Sequence, residues 1–136
     1  MSDIIVVVTG GFDPLHSGHI AYFKEAKKLG NKLIVGINSD AWLTKKKGSP
    51  FLPFNERLEI VSNIDVVDEA IGFHDDELNS AADAISQTIQ RYPNSKIVFA
   101  NGVDLGSHKK KKKKKFSSND NVIFEFGVGG DFKMNS

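Results

Sequence analysis

The residues of this chain best able to do chemistry lie in one run, Gly10-Gly11-Phe12-Asp13-Pro14-Leu15-His16-Ser17-Gly18-His19. Paired glycines leave the backbone open, so the N–H groups of Gly10, Gly11 and Phe12 can reach an anion. A helix opening just after them adds further N–H donors and a favourable dipole. His16 and His19, three apart across that opening, can aim both imidazoles at the same phosphates. Their hydrogen bonds would strengthen as charge develops there. Gly18 between them removes a side chain where a nucleotide has to come close. Such a set suits in-line displacement at a nucleotide's phosphorus, where the protein holds the reactants and neutralises charge without forming a covalent intermediate.

A histidine pair beside a glycine also has blander explanations. It can be a hydrated surface pair or a fortuitous metal site, although a third zinc ligand at recognisable spacing is missing. The Gly-Phe-Asp-Pro lead-in from an apolar strand favours the phosphate reading. His74 and His108 read as plain loop residues.

The elements that must position this run are legible around it. Residues 4–8 are an unbroken β-branched run, the pattern of a strand buried on both faces in a parallel sheet. A helix follows from Gly18 or His19, with Ile20, Phe23 and Ala26 inward, Lys24, Lys27 and Lys28 outward, and Gly30 as its stop. Residues 32–38 form a second buried strand. Residues 44–53 read as a loop rich in lysine, glycine and proline. Asn55 then caps a helix carrying Leu58, Val61 and Ile64 on one side.

A third strand falls within 66–73, and Ser80-Ala81-Ala82-Asp83 has the form of a capping box for a helix burying Ile85 and Ile89. Strands at 96–100 and 122–126 complete the set. Strands alternating with helices predict a Rossmann-like α/β fold, a five-stranded parallel sheet flanked by helices in a single domain. Ligands of such sheets bind at the carboxyl ends of the strands. Three polar clusters are expected on that rim: residues 10–19, Asn38-Ser39-Asp40, and Gly102-Val103-Asp104.

Composition narrows the class. A chain of 136 residues with 40% hydrophobic and 26% charged residues is one ordinary globular domain. It contains no cysteine, which excludes disulfides and thiolate chemistry. No run is long enough to span a membrane and none resembles a signal peptide, so a cytoplasmic protein is expected. The net charge of +1 conceals an asymmetry, because seven of the 18 basic residues are the consecutive lysines 109–115. The remaining 11 face 17 acidic residues, a balance of −6. No nucleic-acid or membrane partner is expected of so acidic a remainder. Like charges at this density repel, so residues 109–118 are expected to be a disordered or altered loop. Polyanion binding through the lysines is the alternative, with a steep salt dependence as its signature.

Phe12-Asp13-Pro14-Leu15-His16-Ser17-Gly18-His19 resembles the HxGH signature of the cytidylyltransferase-like nucleotidyltransferase superfamily. Lys45-Lys46-Lys47-Gly48-Ser49-Pro50 is similar to the K-x-K-G-x-P stretch of its ethanolamine-phosphate branch. Asn55-Glu56-Arg57 and Val67-Asp68-Glu69 also resemble segments at similar spacing in the glycerol-3-phosphate, ethanolamine-phosphate and heptose-phosphate enzymes. The stretch from Ala26 to Asp40 looks like the heptose-phosphate adenylyltransferase type. The resemblance covers residues 4–104.

It implies transfer of a nucleotidyl group from CTP or ATP to a small phosphomonoester, such as a sugar or polyol phosphate, with release of pyrophosphate. Adenylyl transfer to a coenzyme precursor stays open, as does a nucleotide-binding scaffold without turnover. The implied catalytic residues are His16, His19 and Lys47. Gly10, Gly11, Phe12, Gly18, Gly102 and Asp104 would border the nucleotide, and Asp13, Asp40 and Lys45 the acceptor. Magnesium would ride on the phosphates instead of in a protein cage. A homodimer is an implied assembly. Arg57 and Asp68 read either as an ion pair beneath the site or as substrate contacts.

Three departures from the family pattern stand out. Gly11 replaces a hydroxyl or thiol residue. The segment after Asp104 lacks the usual aromatic or Arg–Thr residues. The family's final helix, which a Ser/Thr-rich turn opens, is expected to be missing after Ser136.

Overall fold

The computed structural model describes residues 3–73, 82–101 and 122–126. Along the chain these form β1 (Ile4–Gly10), α1 (Ser17–Lys27), β2 (Lys32–Ile37), α2 (Asp40–Lys47), α3 (Phe54–Ser62), β3 (Glu69–Gly72), α4 (Ala82–Arg91), β4 (Lys96–Asn101) and β5 (Val122–Phe126). The strands make one sheet in the order β3-β2-β1-β4-β5, every neighbouring pair parallel. This is the Rossmann-like α/β arrangement expected from the sequence. The expected capping box at Ser80 and Ala81 and the segments holding His74, His108 and Lys109 to Lys115 lie outside the described residues.

The central strand shows why the apolar runs read as they do. Val6 and Val8 enter one buried cluster with Phe23, Ala26 and Val61 from α1 and α3. Ile5 and Val7 enter the other, with Ala84 and Ile85 from α4. Successive strand side chains point to opposite faces, so a strand covered on both sides must be apolar at every position. The helix faces follow their periodicity, with one exchange: in α1 the buried places go to His19, Phe23 and Ala26, while Ile20 is only half-buried.

Lys27 is half-buried too, because it pairs with Asp68. The Asp68 carboxylate also accepts from the Leu33 N–H at 2.7 Å. Burial would raise the pKa of this carboxyl, but the bonds from Lys27 and Leu33 and the charges of Lys27 and Lys32 outweigh it and hold the group below its usual range. Asp68 therefore ties down the entry of β2, at the end of the sheet opposite the glycine turn. The expected Arg57–Asp68 pair does not form.

Three local expectations are corrected. The 44–53 loop begins later, because Ser39 caps α2 by accepting from the Trp42 N–H at 3.0 Å, and Lys45, Lys46 and Lys47 occupy its last turn. Basic residues are favoured there by the helix dipole. The helix stops at Gly48, whose φ of 94° suits a residue without a Cβ. Asn55 lies inside α3, whose N-cap is Pro53 without a side-chain cap bond.

Gly30 is no helix stop of that kind either, since Lys28 caps α1 in right-handed geometry. Its reason is close packing: a Cβ there would lie 2.6 Å from the Ile4 carbonyl oxygen and 2.8 Å from Val6 Cγ2. Overpacking of this kind costs about 1–3 kcal/mol. Gly30→Ala is expected to lower the Tm by roughly 5–10 °C. Thermal unfolding of the variant checks this, and an unchanged Tm would show that β1 can yield.

Candidate active site

The site is built where β1 ends. Phe12 turns the chain with a φ of 51°, a left-handed conformation that non-glycine residues seldom adopt. Its ring is buried and anchors the turn, edge-on to His19 at 5.1 Å and to Phe23 at 5.2 Å between centroids. The carbonyl of Gly10 accepts from the Asn38 N–H at 2.9 Å, and that of Gly11 from Arg57 Nη1 at 3.0 Å. Both carbonyls are thus held by protein donors. At Gly11 a Cβ would lie 2.9 Å from Leu43 Cδ2. The glycine that departs from the family pattern thus lets α2 sit close against the turn.

His16 and His19 form a capping box at the start of α1. His16 is the N-cap, and its Nδ1 accepts from the Gly18 N–H at 3.1 Å. His19 Nδ1 accepts from the His16 N–H at 3.1 Å. The two rings stack, 3.8 Å between centroids and 26° between planes. A nitrogen that accepts carries no proton, so each ring bears its proton on Nε2. Both Nε2 atoms are buried and without a partner among the described residues. Two N–H donors are therefore fixed side by side, with the helix N-terminus behind them.

Burial is the larger cause, and the neighbouring His16 the lesser, of the fall in the His19 pKa from 6.5 to about 4. The consequence for stability can be signed. Between pH 6.5 and 4 the unfolded imidazole takes up a proton that the folded one refuses. Stability is complete above about pH 6.5 and falls as the pH drops, by roughly 3 kcal/mol in all. Urea unfolding at pH 7 and pH 5 should reveal the loss, and His19→Gln should flatten it. The same slope in both proteins would rule His19 out as its source. Paired carboxylates make their own contribution at lower pH, beneath this window.

Asp13 is placed beneath the turn. Its side chain is fully buried, accepting from the N–H groups of Phe51 and Leu52 at 2.6 Å each and pairing with Lys47 Nζ at 2.7 Å. Burial raises its pKa, yet these bonds and the Lys47 charge prevail and hold it below the usual carboxylate range. Asp13 therefore pins the 51–52 turn to the glycine turn, and the geometry does not direct it at an acceptor. Lys47 Nζ also donates to the Asp13 carbonyl at 2.9 Å and stays partly exposed. Lys45 is exposed on α2, and Lys46 lies over the Trp42 ring at 4.7 Å.

Arg57 lies beneath the site in an ion pair, as expected, but its partner is Asp40 and not Asp68. Its side chain is completely buried. Nη1 donates to the carbonyls of Gly11 (3.0 Å) and Asn38 (2.7 Å), Nε to that of Leu52 (3.0 Å), and Nη2 to Asp40 Oδ1 (2.7 Å). One guanidinium thus joins the glycine turn, the end of β2 and the loop before α3. Its partners come from three separate segments, so no local spacing in the sequence points to them. Gly18 is buried beside the histidines. Gly102 and Asp104 lie outside the described residues, although Tyr22 Oη donates to the Ala100 carbonyl at 2.9 Å and brings α1 to the end of β4.

Among the described residues no group of three metal-ligating side chains converges, and no helix is long and apolar enough to cross a membrane.

Residues 7–127 match the cytidylyltransferase-like family. The chain is 36% identical over 112 residues to the bifunctional protein HldE of Erwinia tasmaniensis, a match covering 74% of this chain and 23% of that protein. HldE of Proteus mirabilis is 40% identical over 74 residues, which are 53% of this chain and 16% of that one. The chain thus spans about a quarter or less of these relatives. Among solved structures, a lipopolysaccharide core biosynthesis protein from Thermoplasma volcanium superposes with a TM-score of 0.70 at 29% identity, over 92% of this chain and 94% of that one. A NadR protein in complex with NR shares the fold, with a TM-score of 0.62 at 17% identity over 93% of this chain and 36% of its own.

Proposed function

This chain belongs to the cytidylyltransferase-like family, and from that premise we propose that it transfers a nucleotidyl group from CTP or ATP to a small sugar or polyol phosphate, releasing pyrophosphate. The observation carrying this reading is the pair of buried Nε2 atoms of His16 and His19, unpartnered among the described residues. A buried donor without a partner costs stability, by about 1–3 kcal/mol each. Two side by side at a helix N-terminus make sense as groups awaiting an anion.

In this reading an oxygen of the acceptor's phosphate attacks the α-phosphorus of the nucleotide. The bond from that phosphorus to the bridging oxygen breaks, and pyrophosphate departs with the electron pair. The Nε2–H groups donate to phosphate oxygens as charge shifts on to them, aided by the backbone N–H groups of Gly11 and Phe12. Lys47, held by Asp13, adds positive charge at the edge of the turn. His19 stays uncharged through the neutral range, so it acts as a donor and not as a cation. Magnesium would be held by the triphosphate's own oxygens, where it would neutralise phosphate charge. Asp13, the carboxylate nearest the turn, is already committed to Lys47, Phe51 and Leu52, which suits a metal carried by the nucleotide.

Pyrophosphate release tests the reading, with CTP, ATP, GTP and UTP each offered against hexose and heptose phosphates, glycerol 3-phosphate, phosphoethanolamine and phosphopantetheine. Release with one pair is expected. Silence across the panel from a folded protein that still binds nucleotide would leave a binding protein in its place.

A further inference from the structure

Among the described residues, α2 contributes no side chain to either of the two buried clusters that flank the sheet. Of its own residues only Leu43 is buried, at 1% exposure. The helix is eight residues long. Isolated helices shorter than about 12–15 residues are marginal in water, so the place of α2 has to come from the contacts that tie it down. Among the described residues, three such ties converge on residues 11–13. Asp40, at the start of α2, pairs at 2.7 Å with Arg57, whose guanidinium also holds the Gly11 carbonyl. Leu43, in the middle, packs against Gly11 itself. Lys47, at the end, reaches both the carboxylate and the carbonyl of Asp13.

The backbone does not demand a glycine at position 11, since among the described glycines only Gly48 has a positive φ. Space demands it. A Cβ there would lie 2.9 Å from Leu43 Cδ2 and 3.6 Å from Trp42 Cζ3. Carbon atoms in contact sit about 3.5–4.0 Å apart, so Leu43 would have to retreat by roughly 1 Å. Closely packed surroundings pass such a displacement on, here to the helix that carries Leu43. The same helix carries the cation of the site. An ammonium has three donors. Two of those on Lys47 serve Asp13, at 2.7 Å to Oδ2 and 2.9 Å to the carbonyl oxygen, which leaves one for a ligand. The side chain is 35% exposed, so a ligand can reach it.

We infer that Gly11 is a positioning residue: by admitting Leu43 it seats α2 on the glycine turn, and the seated helix fixes Lys47 Nζ where a phosphate binds. The phosphate assigned to Lys47 rests on the nucleotidyl-transfer reading, whereas the seat of α2 does not. A misplacement of about 1 Å can cost a catalytic group up to roughly 10²-fold. Gly11→Ala keeps the N–H of residue 11, so its effect reports on the seat of α2 and not on a lost donor. Trp42 supplies a probe of that seat. It is the chain's only tryptophan. Its ring is half-buried, with one edge toward Gly11 and Lys46 Nζ 4.7 Å from its centroid.

Calorimetric titration of the intact chain with inorganic tripolyphosphate and magnesium tests this without turnover. Gly11→Ala should weaken tripolyphosphate about tenfold, and Lys47→Met should do much the same. In the Lys47→Met background Gly11→Ala should add less than about twofold, because changes that act through one group do not add. Leu43→Val shortens the side chain that the new Cβ would strike, so it should restore most of the affinity that Gly11→Ala loses. Trp42 emission should move to longer wavelength in Gly11→Ala and return when Leu43→Val is added. Pyrophosphate release should show kcat falling in Gly11→Ala by more than KM rises. Far-UV spectra and Tm establish that the variants are folded. Leu43→Ala approaches the seat from the other side, and with Gly11 intact it should give the same loss of affinity and the same shift of emission.

A folded Gly11→Ala protein with wild-type affinity and unmoved Trp42 emission would overturn the inference. So would losses from Gly11→Ala and Lys47→Met that multiply, since Gly11 would then act through something other than Lys47. A loss that Leu43→Val leaves unrepaired would overturn it too. Any of these results in a chain that still releases pyrophosphate would uphold nucleotidyl transfer and strike the positioning role alone. A wild-type chain that binds tripolyphosphate with the expected pattern of losses, yet releases no pyrophosphate from any acceptor, would sink transfer and uphold the seat. A wild-type chain that binds neither tripolyphosphate nor nucleotide would overturn both.

Discussion

His16→Asn is expected to cut nucleotidyl transfer on the order of 10²–10³-fold, the usual effect of removing one oriented donor from a developing charge. The melting temperature should hardly move. Asparagine is among the best N-cap residues, and its side-chain oxygen can accept from the Gly18 N–H as His16 Nδ1 does. It does not reproduce the stacked ring or the Nε2–H beside that of His19. His16→Ala would lose the cap as well, at about 1 kcal/mol, and so mixes two effects. Steady-state pyrophosphate release and thermal unfolding on the same samples separate them. A His16→Asn protein with full turnover would mean that the imidazole serves the helix alone.

Arg57→Met is expected to be the most damaging single change to the fold near the site. It would leave the carbonyls of Gly11, Asn38 and Leu52 without this donor and Asp40 without its partner. Breaking a buried charged network in this way costs about 3–5 kcal/mol. That corresponds to a fall in Tm of roughly 10–20 °C for a domain of this size. Arg57→Lys should recover less than half, since one ammonium cannot serve carbonyls on three segments with the reach of a planar fork. Asp40→Asn should cost under about 1 kcal/mol, because that carboxylate is half in water and the pair is screened there. Denaturant unfolding of the three variants gives the order directly. Equal losses for Asp40→Asn and Arg57→Met would show that the ion pair, and not the carbonyl contacts, carries the stability.

The fold was legible because its strands are buried on both faces, which makes sequences such as Ile5-Val6-Val7-Val8 hard to read otherwise. The histidine site was legible because it is local. His16, Gly18 and His19 are neighbours in sequence, and the helix start that orients them is written in the same residues. What stayed hidden depends on contacts across the chain. Nothing near Asp13 announces that residues 51 and 52 will consume its carboxylate. Arg57 has no sequence cue pointing to Asp40 in preference to Asp68, and only the folded topology puts Asp68 at the far end of the sheet beside Lys27 and Leu33. Residues 44–47 carry the lysines of a solvated loop, and a serine cap with a closing Gly48 makes them helical all the same.

The central claim is that two imidazoles hold fixed Nε2–H donors for a nucleotide's phosphates. Long-range proton–nitrogen NMR of protein labelled with ¹⁵N-histidine, at pH 7, tests it most directly. His16→Asn and His19→Gln would supply the assignments. The account predicts that both rings carry their proton on Nε2, and that both Nε2–H resonances move together when magnesium and a nucleoside triphosphate are added. A ring protonated on Nδ1, or a pair of resonances indifferent to nucleotide, would contradict it.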